Sequence, residues 1–387
     1  MTRTGIINIG AIATGIIEKP TISTPAVLIE GGRIRSLNPS AADLTNAERT
    51  IDAGGMTLTP GLFDSHVHPV FGDYSPRLTA VGWIESYLQG GITSMISTGE
   101  LHLAGRPHDP EGVKALSILA AKSFNNARPS GVKVTAGTLV LESGLVEDDF
   151  AQVAKAGARA VKFIESIEHR SEAIQFSRWA RKHGLRVIIH CGGTSLPTVP
   201  TTTAETIMAI EPDVLAHLNG GPTALSFGDI DTLIRKTSCT IDVIRFGNLR
   251  ALLQIMNTVK ELGGEKRVIL GTDSPTGSGM EPLGILHQMT FLCALASIKP
   301  EEAIAMATGN TASAYGLATG RVEEGMPADL VLMDAPLGSA AASAFDSMSL
   351  GDIPAVALVM IDGDIKVLKS RNTPPTQKPI RVTGDSR

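Results

Sequence analysis

Five residues of the chain have the type and spacing of metal ligands. His66 and His68 are separated by one residue in the segment DSHVHP. Because alternate side chains of a β-strand point to the same side, both imidazoles can reach one ion. His190, His217 and Asp273 each follow an apolar run, in IIHCGG, VLAHLNGG and ILGTDSP. Histidine and carboxylate side chains are common zinc ligands, so the pattern predicts a metal-dependent site.

Each of these residues also has an ordinary interpretation. A lone His190 or His217 is more often a buried, hydrogen-bonded histidine, and Asp273 could be a turn residue before Pro275. Lys162, in ARAVKFIES, would normally be a surface lysine with its stem along apolar neighbours. The metal interpretation is favoured because all of these residues lie where predicted strands end.

Eight apolar runs, each followed by helical periodicity, occupy the central part of the chain. In such a repeat the strands are parallel and their carboxyl ends meet at one face, where the active sites of barrels lie. The sequence therefore predicts an α/β fold, a (β/α)8 TIM-type barrel over residues 59–318. The strand candidates are MTLTPGLFDSHVH, ITSMIST, VKVTAGTLVL, ARAVKFIES, RVIIHCGG, VLAHLNGG, CTIDVIRFG and RVILGTDSP.

The two ends of the chain have a different pattern. Residues 1–58 contain short alternating runs such as AVLIEGG and RIRSL, and residues 319–372 return to strand patterns in DLVLMD and AVALVMI. We therefore expect a small β-sandwich domain that is built from both ends. The polar, proline-containing segment 373–387 is predicted to be a tail that is disordered or lies across a neighbouring subunit.

Composition excludes several partners and compartments. The 387 residues are 43% hydrophobic, with a formal charge of -5 and no run of lysine or arginine, so neither nucleic acid nor an anionic membrane is an expected partner. The start of the chain has no apolar stretch suited to a signal peptide or a membrane span. Cys191, Cys239 and Cys293 are widely separated, which indicates reduced thiols. We expect a cytoplasmic homo-oligomer, a dimer or tetramer, that acts on a small molecule.

Several segments, in chain order, resemble the amidohydrolase superfamily. They are TPGLFDSHVHP, VKFIES, IIHCGGTS, AHLNGGPT, ILGTDSP and the late TGNTASAYGL with GRVEEGMPADLVLMD. Further stretches, including GDYSPR, NARPSGVKV, GGTSLP, PLGIL and KSRNTPP, resemble a branch that opens cyclic enamides. The resemblance covers nearly the whole chain and implies a barrel that holds two divalent metal ions.

The same resemblance assigns roles to the candidate ligands. It implies that His66, His68 and Asp273 hold one ion, and that His190 and His217 hold the other. Zinc is the default ion, with iron, manganese and cobalt as alternatives. A hydroxide between the ions would attack the amide carbon, with Asp273 as general base and then general acid.

The bridging ligand is expected to be Lys162 after carboxylation. In related branches a lysine captures carbon dioxide and becomes an anionic carbamate, whereas the ring-opening branch is expected to carry a glutamate at this position. Glu165 is the alternative, but strand alternation places it on the opposite side from Lys162. We therefore favour carboxylated Lys162.

Three residues are candidates for substrate binding. Arg245 ends the seventh predicted strand and could clamp a substrate carboxylate, or could pair with Asp242 or Asp73. Asn219 and Thr194 follow ligand histidines, although Thr194 would equally well cap a helix.

The resemblance implies hydrolysis of a non-peptide carbon–nitrogen bond, in a cyclic amide or enamide that bears a carboxylate. Aminoacylase, dipeptidase or deaminase activity at the same metal site is an alternative, because fold and metals do not fix the substrate. A non-catalytic scaffold related to dihydropyrimidinase is a further alternative. Such scaffolds typically lack the metal ligands, whereas here every ligand position is filled.

Overall fold

The structure of the chain is a computed structural model. It describes residues 2–69, 82–99, 106–163, 170–193, 202–221, 223–275 and 279–384. Glu165, Thr194 and Asp73, together with the segment GDYSPR, lie outside the described residues.

Strands and helices alternate through the middle of the chain, and strands dominate both ends. The strands are β1 (Arg3–Ile7), β2 (Ala11–Ala13), β3 (Thr21–Ile22), β4 (Val27–Glu30), β5 (Arg33–Ser36), β6 (Arg49–Asp52), β7 (Thr57–Pro60), β8 (Leu62–Val67), β9 (Ile92–Ser97), β10 (Lys133–Thr135), β11 (Leu139–Val140), β12 (Ala160–Phe163), β13 (Arg186–His190), β14 (Val214–Ala216), β15 (Thr240–Ile244), β16 (Val268–Gly271), β17 (Leu330–Asp334), β18 (Ala355–Ile361), β19 (Asp364–Leu368) and β20 (Arg381–Gly384). The helices are α1 (Ala41–Thr45), α2 (Trp83–Gln89), α3 (Pro110–Asn126), α4 (Glu147–Ala156), α5 (Arg170–Lys182), α6 (Ala204–Ile210), α7 (Phe227–Lys236), α8 (Leu249–Glu261), α9 (Gly284–Ala296), α10 (Pro300–Met306), α11 (Gly309–Ala314) and α12 (Ala344–Leu350).

The central strands are parallel and follow one another in chain order. Strands β8, β9 and β10 form one sheet, and β11 to β16 form another. The last strand returns to the first, because Asp273 N donates to His66 O at 2.8 Å and a parallel bridge joins Val67 to Ser274. Every predicted central strand is therefore found, in the predicted order.

Two of the predicted strands are divided in the structure. The first, MTLTPGLFDSHVH, forms β7 in an outer sheet and β8 in the central one, because Gly61 separates them. The third predicted strand is also divided. VKVTAGTLVL forms two short strands, β10 and β11, instead of one. Gly137 lies between them with φ +89°, a conformation that glycine adopts without steric cost. An added Cβ at this residue would lie 2.7 Å from Ala121 Cβ, so the chain turns closely against α3 here.

Strands from both chain ends form two outer sheets. Their orders are β20-β6-β1-β4-β5 and β19-β18-β17-β7-β2-β3. Ile6 and Ile29 from the first sheet share a buried apolar cluster with Leu58, Leu332 and Leu358 from the second. Burial of this apolar surface between the two sheets stabilises their contact.

The C-terminal segment differs from its sequence expectation. Residues Arg381–Gly384 pair antiparallel with Arg49–Asp52, and Lys378 Nζ donates to Asp334 Oδ1 at 2.9 Å. The described part of this segment therefore includes a strand that pairs with its own chain, and its contact with a neighbouring subunit stays a prediction. Its polar composition hides the strand, because the backbone groups of edge strand β6 supply the pairing and no buried side-chain pattern is required.

The apolar core surrounds the parallel strands on both sides. Val187 and Ile189 of β13 belong to the large cluster that includes the helices, whereas Ile188 belongs to a smaller cluster with Phe63 and Ile269. This alternation is the two-residue period of a strand that is buried on both faces. Among the helices of the described ranges, none has the length and apolar character needed to span a membrane.

Candidate metal centre

His66, His68 and Asp273 come together where β8 and β16 end. One ligand atom from each lies within 4.8 Å of the others, and this is the only such group found within the described residues. The closest approach joins His68 Nε2 to Asp273 Oδ1 at 3.1 Å, and His66 Nε2 lies 3.5 Å from the same oxygen. The predicted first set of ligands is therefore assembled in the structure.

His190 and His217 lie directly beside this group. Their ring centroids are 4.4 Å apart, and the His217 ring is 5.2 Å from that of His66. Strand alternation accounts for His190, because Ile188, two residues before it, faces the inner cluster. The structure thus brings all four predicted histidines into one cluster.

Hydrogen bonds fix which nitrogen of each ring is available. His66 Nδ1 contacts Asp242 Oδ2 at 2.6 Å, and His68 Nδ1 contacts the Gly99 carbonyl oxygen at 2.9 Å. Both rings therefore direct Nε2 toward the shared space. His66 Nε2 is buried and has no hydrogen-bond partner among the described residues, which is the environment expected of a nitrogen reserved for a metal ion.

In the second histidine pair, His217 has the same orientation as His66 and His68, whereas His190 has the opposite one. His217 Nδ1 contacts the Cys191 carbonyl oxygen at 3.2 Å, so its Nε2 is available. His190 Nε2 contacts the Gly193 carbonyl oxygen at 3.3 Å, which leaves Nδ1 as its free nitrogen. Backbone carbonyls thus set the tautomer of both rings.

Lys162 lies on β12 with 1% of its surface exposed. Its Nζ has no hydrogen-bond partner among the described residues. Burial lowers the pKa of Lys162 to about 8, against the opposing charges of Asp273 and Asp242. A buried amine without a partner is costly, and conversion to a metal-binding carbamate would remove that cost. The residues present therefore fit a two-ion centre.

The pKa values of His68, His190 and His217 are shifted toward the neutral form that binds metals. Burial lowers the pKa of His68, lowers that of His190 to about 4 and lowers that of His217 well below its usual range. Burial alone would raise the pKa of Asp273, but its electrostatic interactions with the imidazoles of His66 and His68, together with the hydrogen bond to His68, hold that pKa well below its usual range. The site therefore combines three imidazoles of lowered pKa with an ionised carboxylate.

Unusual backbone conformations aim two of the ligands. His217 has φ +37° and Asp273 has φ +65°, both in the left-handed region. Such strain concentrates at functional sites, where surrounding structure maintains it. Gly271 permits the close approach of β16 to β8, because an added Cβ would lie 2.5 Å from His66 Cβ.

Arg245 follows β15, as predicted, and its amide N donates to the Gly271 carbonyl oxygen at 2.9 Å. Its side-chain Nε lies 3.3 Å from Glu281 Oε1, and His287 Nε2 lies 3.6 Å from the same oxygen. The carboxylate partner differs from the expected one, because Asp242 binds the histidine cluster instead. Sequence reasoning missed Glu281, which lies outside every predicted strand. The clamp role of Arg245 stays a prediction.

Asn219 is buried between two strand ends. Its Nδ2 donates to the Ile244 carbonyl oxygen and its Oδ1 accepts from Ile244 N, both at 2.9 Å. The nitrogen and the oxygen of the side-chain amide are thus both used to hold the end of β15. Its contact with substrate stays a prediction, as does that of Thr194.

Asp242 and Asp64 are the ligand-supporting residues that the sequence reasoning did not single out. Asp64 accepts from Thr272 Oγ1 at 2.6 Å and from Thr272 N at 2.9 Å, and burial raises its pKa to about 7. The sequence feature that could have identified them is an aspartate inside an otherwise apolar strand, in LFDSHV for Asp64 and in TIDVI for Asp242. Charged residues are seldom fully buried unless they have partners.

The chain belongs to the amidohydrolase family, because the sequence profile of that family matches residues 57–366. Within the family, the chain is 42% identical to enamidase from Eubacterium barkeri over 385 residues, which cover 99% of this chain and 100% of that enzyme. The crystal structure of enamidase has a TM-score of 0.94 to the present structure, with the same shares covered. The sequence resemblance to this superfamily and to its ring-opening branch is confirmed.

More distant relatives share the fold. An imidazolonepropionase from Cereibacter sphaeroides is 28% identical, with 81% of this chain and 89% of that enzyme covered. A crystal structure of a mutant atrazine chlorohydrolase from Arthrobacter aurescens, complexed with zinc and atraton, has a TM-score of 0.64 at 17% identity and covers 97% of both chains.

Proposed function

We propose that this protein hydrolyses the amide carbon–nitrogen bond of a cyclic amide or enamide that bears a carboxylate. The observation that carries the proposal is the convergence of four histidines, a lysine and an aspartate at the ends of parallel strands. The full-length identity to enamidase supports the ring-opening reaction over the aminoacylase, dipeptidase and deaminase alternatives.

The same residues would hold two divalent ions. His66, His68 and Asp273 would bind one ion, and His190 and His217 the other. Zinc is the first choice, supported by the donor set and by the zinc of the related chlorohydrolase structure. Two such ions, when bound, lower the pKa of a water and polarise a carbonyl.

Lys162 would serve as the shared ligand after carboxylation. Its neutral amine adds to the carbon of carbon dioxide and loses one proton, which gives a carbamate with two oxygens. Its burial and its lack of a hydrogen-bond partner among the described residues support this assignment.

Asp273 is suited to move the proton of the reaction. The ionised carboxylate would accept a proton from the attacking water and deliver it to the leaving nitrogen as the carbon–nitrogen bond breaks. Ring opening of an enamide leaves a carboxylate and an enamine. The enamine would tautomerise to an imine, and addition of water to the imine carbon with loss of ammonia would give an aldehyde.

We infer that the parallel strands close into a (β/α)8 barrel over residues 59–318. The hydrogen bonds that return β16 to β8 support closure. The two outer sheets would form a β-sandwich from residues 1–58 and 319–372, with β20 of the 373–387 segment added at one edge.

We further propose that the protein is a cytoplasmic homo-oligomer. The three cysteines are buried and unpaired, which suits a reducing compartment. Leu295 of α9 and Leu350 of α12, on helices that pack together, are 64% and 61% exposed and would supply apolar surface to a dimer or tetramer.

A substrate panel tests the proposed reaction. We expect the purified protein to open a six-membered cyclic enamide carboxylate, with ammonia release, far faster than it hydrolyses N-acyl amino acids, β-aspartyl dipeptides or aminopurines. Ultraviolet absorbance follows ring opening, and an ammonia assay follows the second product. Preference for an aminopurine or a dipeptide would replace the proposal with the corresponding alternative.

The metal content should approach two divalent ions per chain. Chelation should abolish turnover without unfolding the protein, and re-addition of zinc should restore turnover, because Asp242 and backbone carbonyls hold the imidazoles in place independently of the ions. Elemental analysis by mass spectrometry measures the ratio. Fewer than about one ion per chain, together with no turnover on the panel, would favour a non-catalytic scaffold.

Arg245→Ala tests the substrate carboxylate. For an acidic substrate we expect kcat/KM to fall by an amount that corresponds to about 2 kcal/mol of activation free energy, the scale of a charged hydrogen bond. The kcat/KM of a neutral analogue should not change. Steady-state kinetics on the matched pair of substrates provides the measurement. Arg235→Ala is the control, because Arg235 pairs with Asp231 and Glu261 on the helices α7 and α8. Equal losses on both substrates would assign Arg245 to structure.

A further inference from the structure

Asp242 lies in the middle of β15 and is 1% exposed. Its neighbours Ile241 and Val243 belong to the apolar cluster shared with the helices. Strand alternation therefore turns Asp242 to the opposite, inner side, toward the histidines. A carboxylate in this position needs strong partners, because an unpaired buried charge is costly.

The partners of Asp242 come from β8 and from the turn after β14. Its Oδ2 lies 2.6 Å from His66 Nδ1 and accepts from His217 N at 3.0 Å. Its Oδ1 accepts from Ser65 Oγ at 2.8 Å. One buried carboxylate thus contacts one histidine of each proposed ligand set.

The contact with His66 acts on the imidazole itself. A carboxylate at Nδ1 keeps the proton there, fixes the ring orientation and raises the basicity of Nε2. Nε2 is the buried atom without a hydrogen-bond partner among the described residues. The contact with His217 acts on the backbone, where φ is +37° and an external acceptor helps to maintain the strained conformation.

Asp64 directly precedes Ser65 in the chain, but its contacts differ from those that Asp242 makes with the histidines. It accepts from His66 N at 3.2 Å and from Thr272, and so it supports the backbone of two strand ends. Asp64 accepts from backbone amides and a hydroxyl group, whereas Asp242 contacts the ring of His66 directly.

We propose that Asp242 is a positioning residue that couples the two halves of the metal centre, setting the affinity for both ions through His66 and His217. This inference rests on the proposed metal centre. It predicts that removing the charge of Asp242 weakens both ions together, although Asp242 itself is not a ligand.

Asp242→Asn is the test, because asparagine keeps the shape and can still accept from His66 and His217 while its Nδ2 donates to Ser65. We expect zinc affinity at both sites to fall about 10- to 100-fold, the usual effect of mutating a carboxylate partner of a metal-binding histidine. Competition with a chromophoric chelator measures both affinities, and the visible spectrum of the cobalt-substituted protein reports ligand geometry.

Asp334→Asn is the matched control. Asp334 is fully buried and accepts from Lys378 N and Nζ, but it lies on β17 in an outer sheet. We expect this variant to lose stability while keeping wild-type zinc affinity and the wild-type cobalt spectrum. Thermal unfolding of the metal-free proteins separates the two effects.

Three outcomes would overturn the inference or its basis. If wild-type protein binds no zinc, the proposed metal centre fails. If wild-type protein binds two ions and Asp242→Asn binds them equally well, or weakens only one, the coupling role fails alone. Should Asp242→Asn not fold, Ser65→Ala decides, because it removes one hydrogen bond and keeps the charge; we expect a loss of several-fold at both sites, and unchanged affinities would overturn the role.

Discussion

Asp273→Asn should lower kcat by about 10²- to 10⁴-fold, the range that a positioned general acid–base group contributes. The amide cannot accept the proton of the attacking water, but its oxygen can still reach the space shared with His66 and His68. The fold and part of the metal content should therefore remain. Steady-state kinetics, elemental analysis and circular dichroism on the same preparation measure the three quantities.

The comparison with Asp334→Asn distinguishes chemistry from stability in this experiment as well. That variant neutralises a buried carboxylate far along the chain, in β17, and should keep kcat near the wild-type value. Near wild-type turnover by Asp273→Asn would assign the proton transfer to another group and leave Asp273 as a ligand only.

Much of the site was predictable because it depends on local periodicity. His66, His190, His217 and Asp273 lie at or just beyond the ends of strands, and an apolar run that stops at a polar residue marks such an end in the sequence. Parallel strands in chain order then require these ends to meet. The arrangement of parallel strands therefore brings together residues that are far apart in the chain.

The contacts between strands were not predictable from the same pattern. Asp242 joins residues of β8 and of the turn after β14, and Arg245 finds Glu281 rather than Asp242. These partners depend on side-chain direction and on turns whose backbone has positive φ. β20 escaped prediction for a related reason, since its pairing depends on an available strand edge and not on its own side chains.

Lys162→Met should reduce turnover by more than about 100-fold, because even partners that only support a metal ligand account for 10- to 100-fold. Methionine fills the same buried space without an amine, so thermal stability should be unchanged or higher. Wild-type protein stripped of metal should regain more activity from zinc with bicarbonate than from zinc alone. Lys162→Met should show no response to bicarbonate.

Glu165→Gln tests the alternative that Glu165, rather than Lys162, is the bridging ligand. If carboxylated Lys162 is the shared ligand, Glu165→Gln should keep its metal content and its bicarbonate response, because the sequence pattern predicts that residue 165 is not a ligand. Native mass spectrometry should then show one added carbon dioxide on wild-type protein and on Glu165→Gln, but none on Lys162→Met. The reverse pattern, with metal lost from Glu165→Gln and retained by Lys162→Met, would make Glu165 the bridging carboxylate and leave Lys162 as an uncarboxylated buried amine.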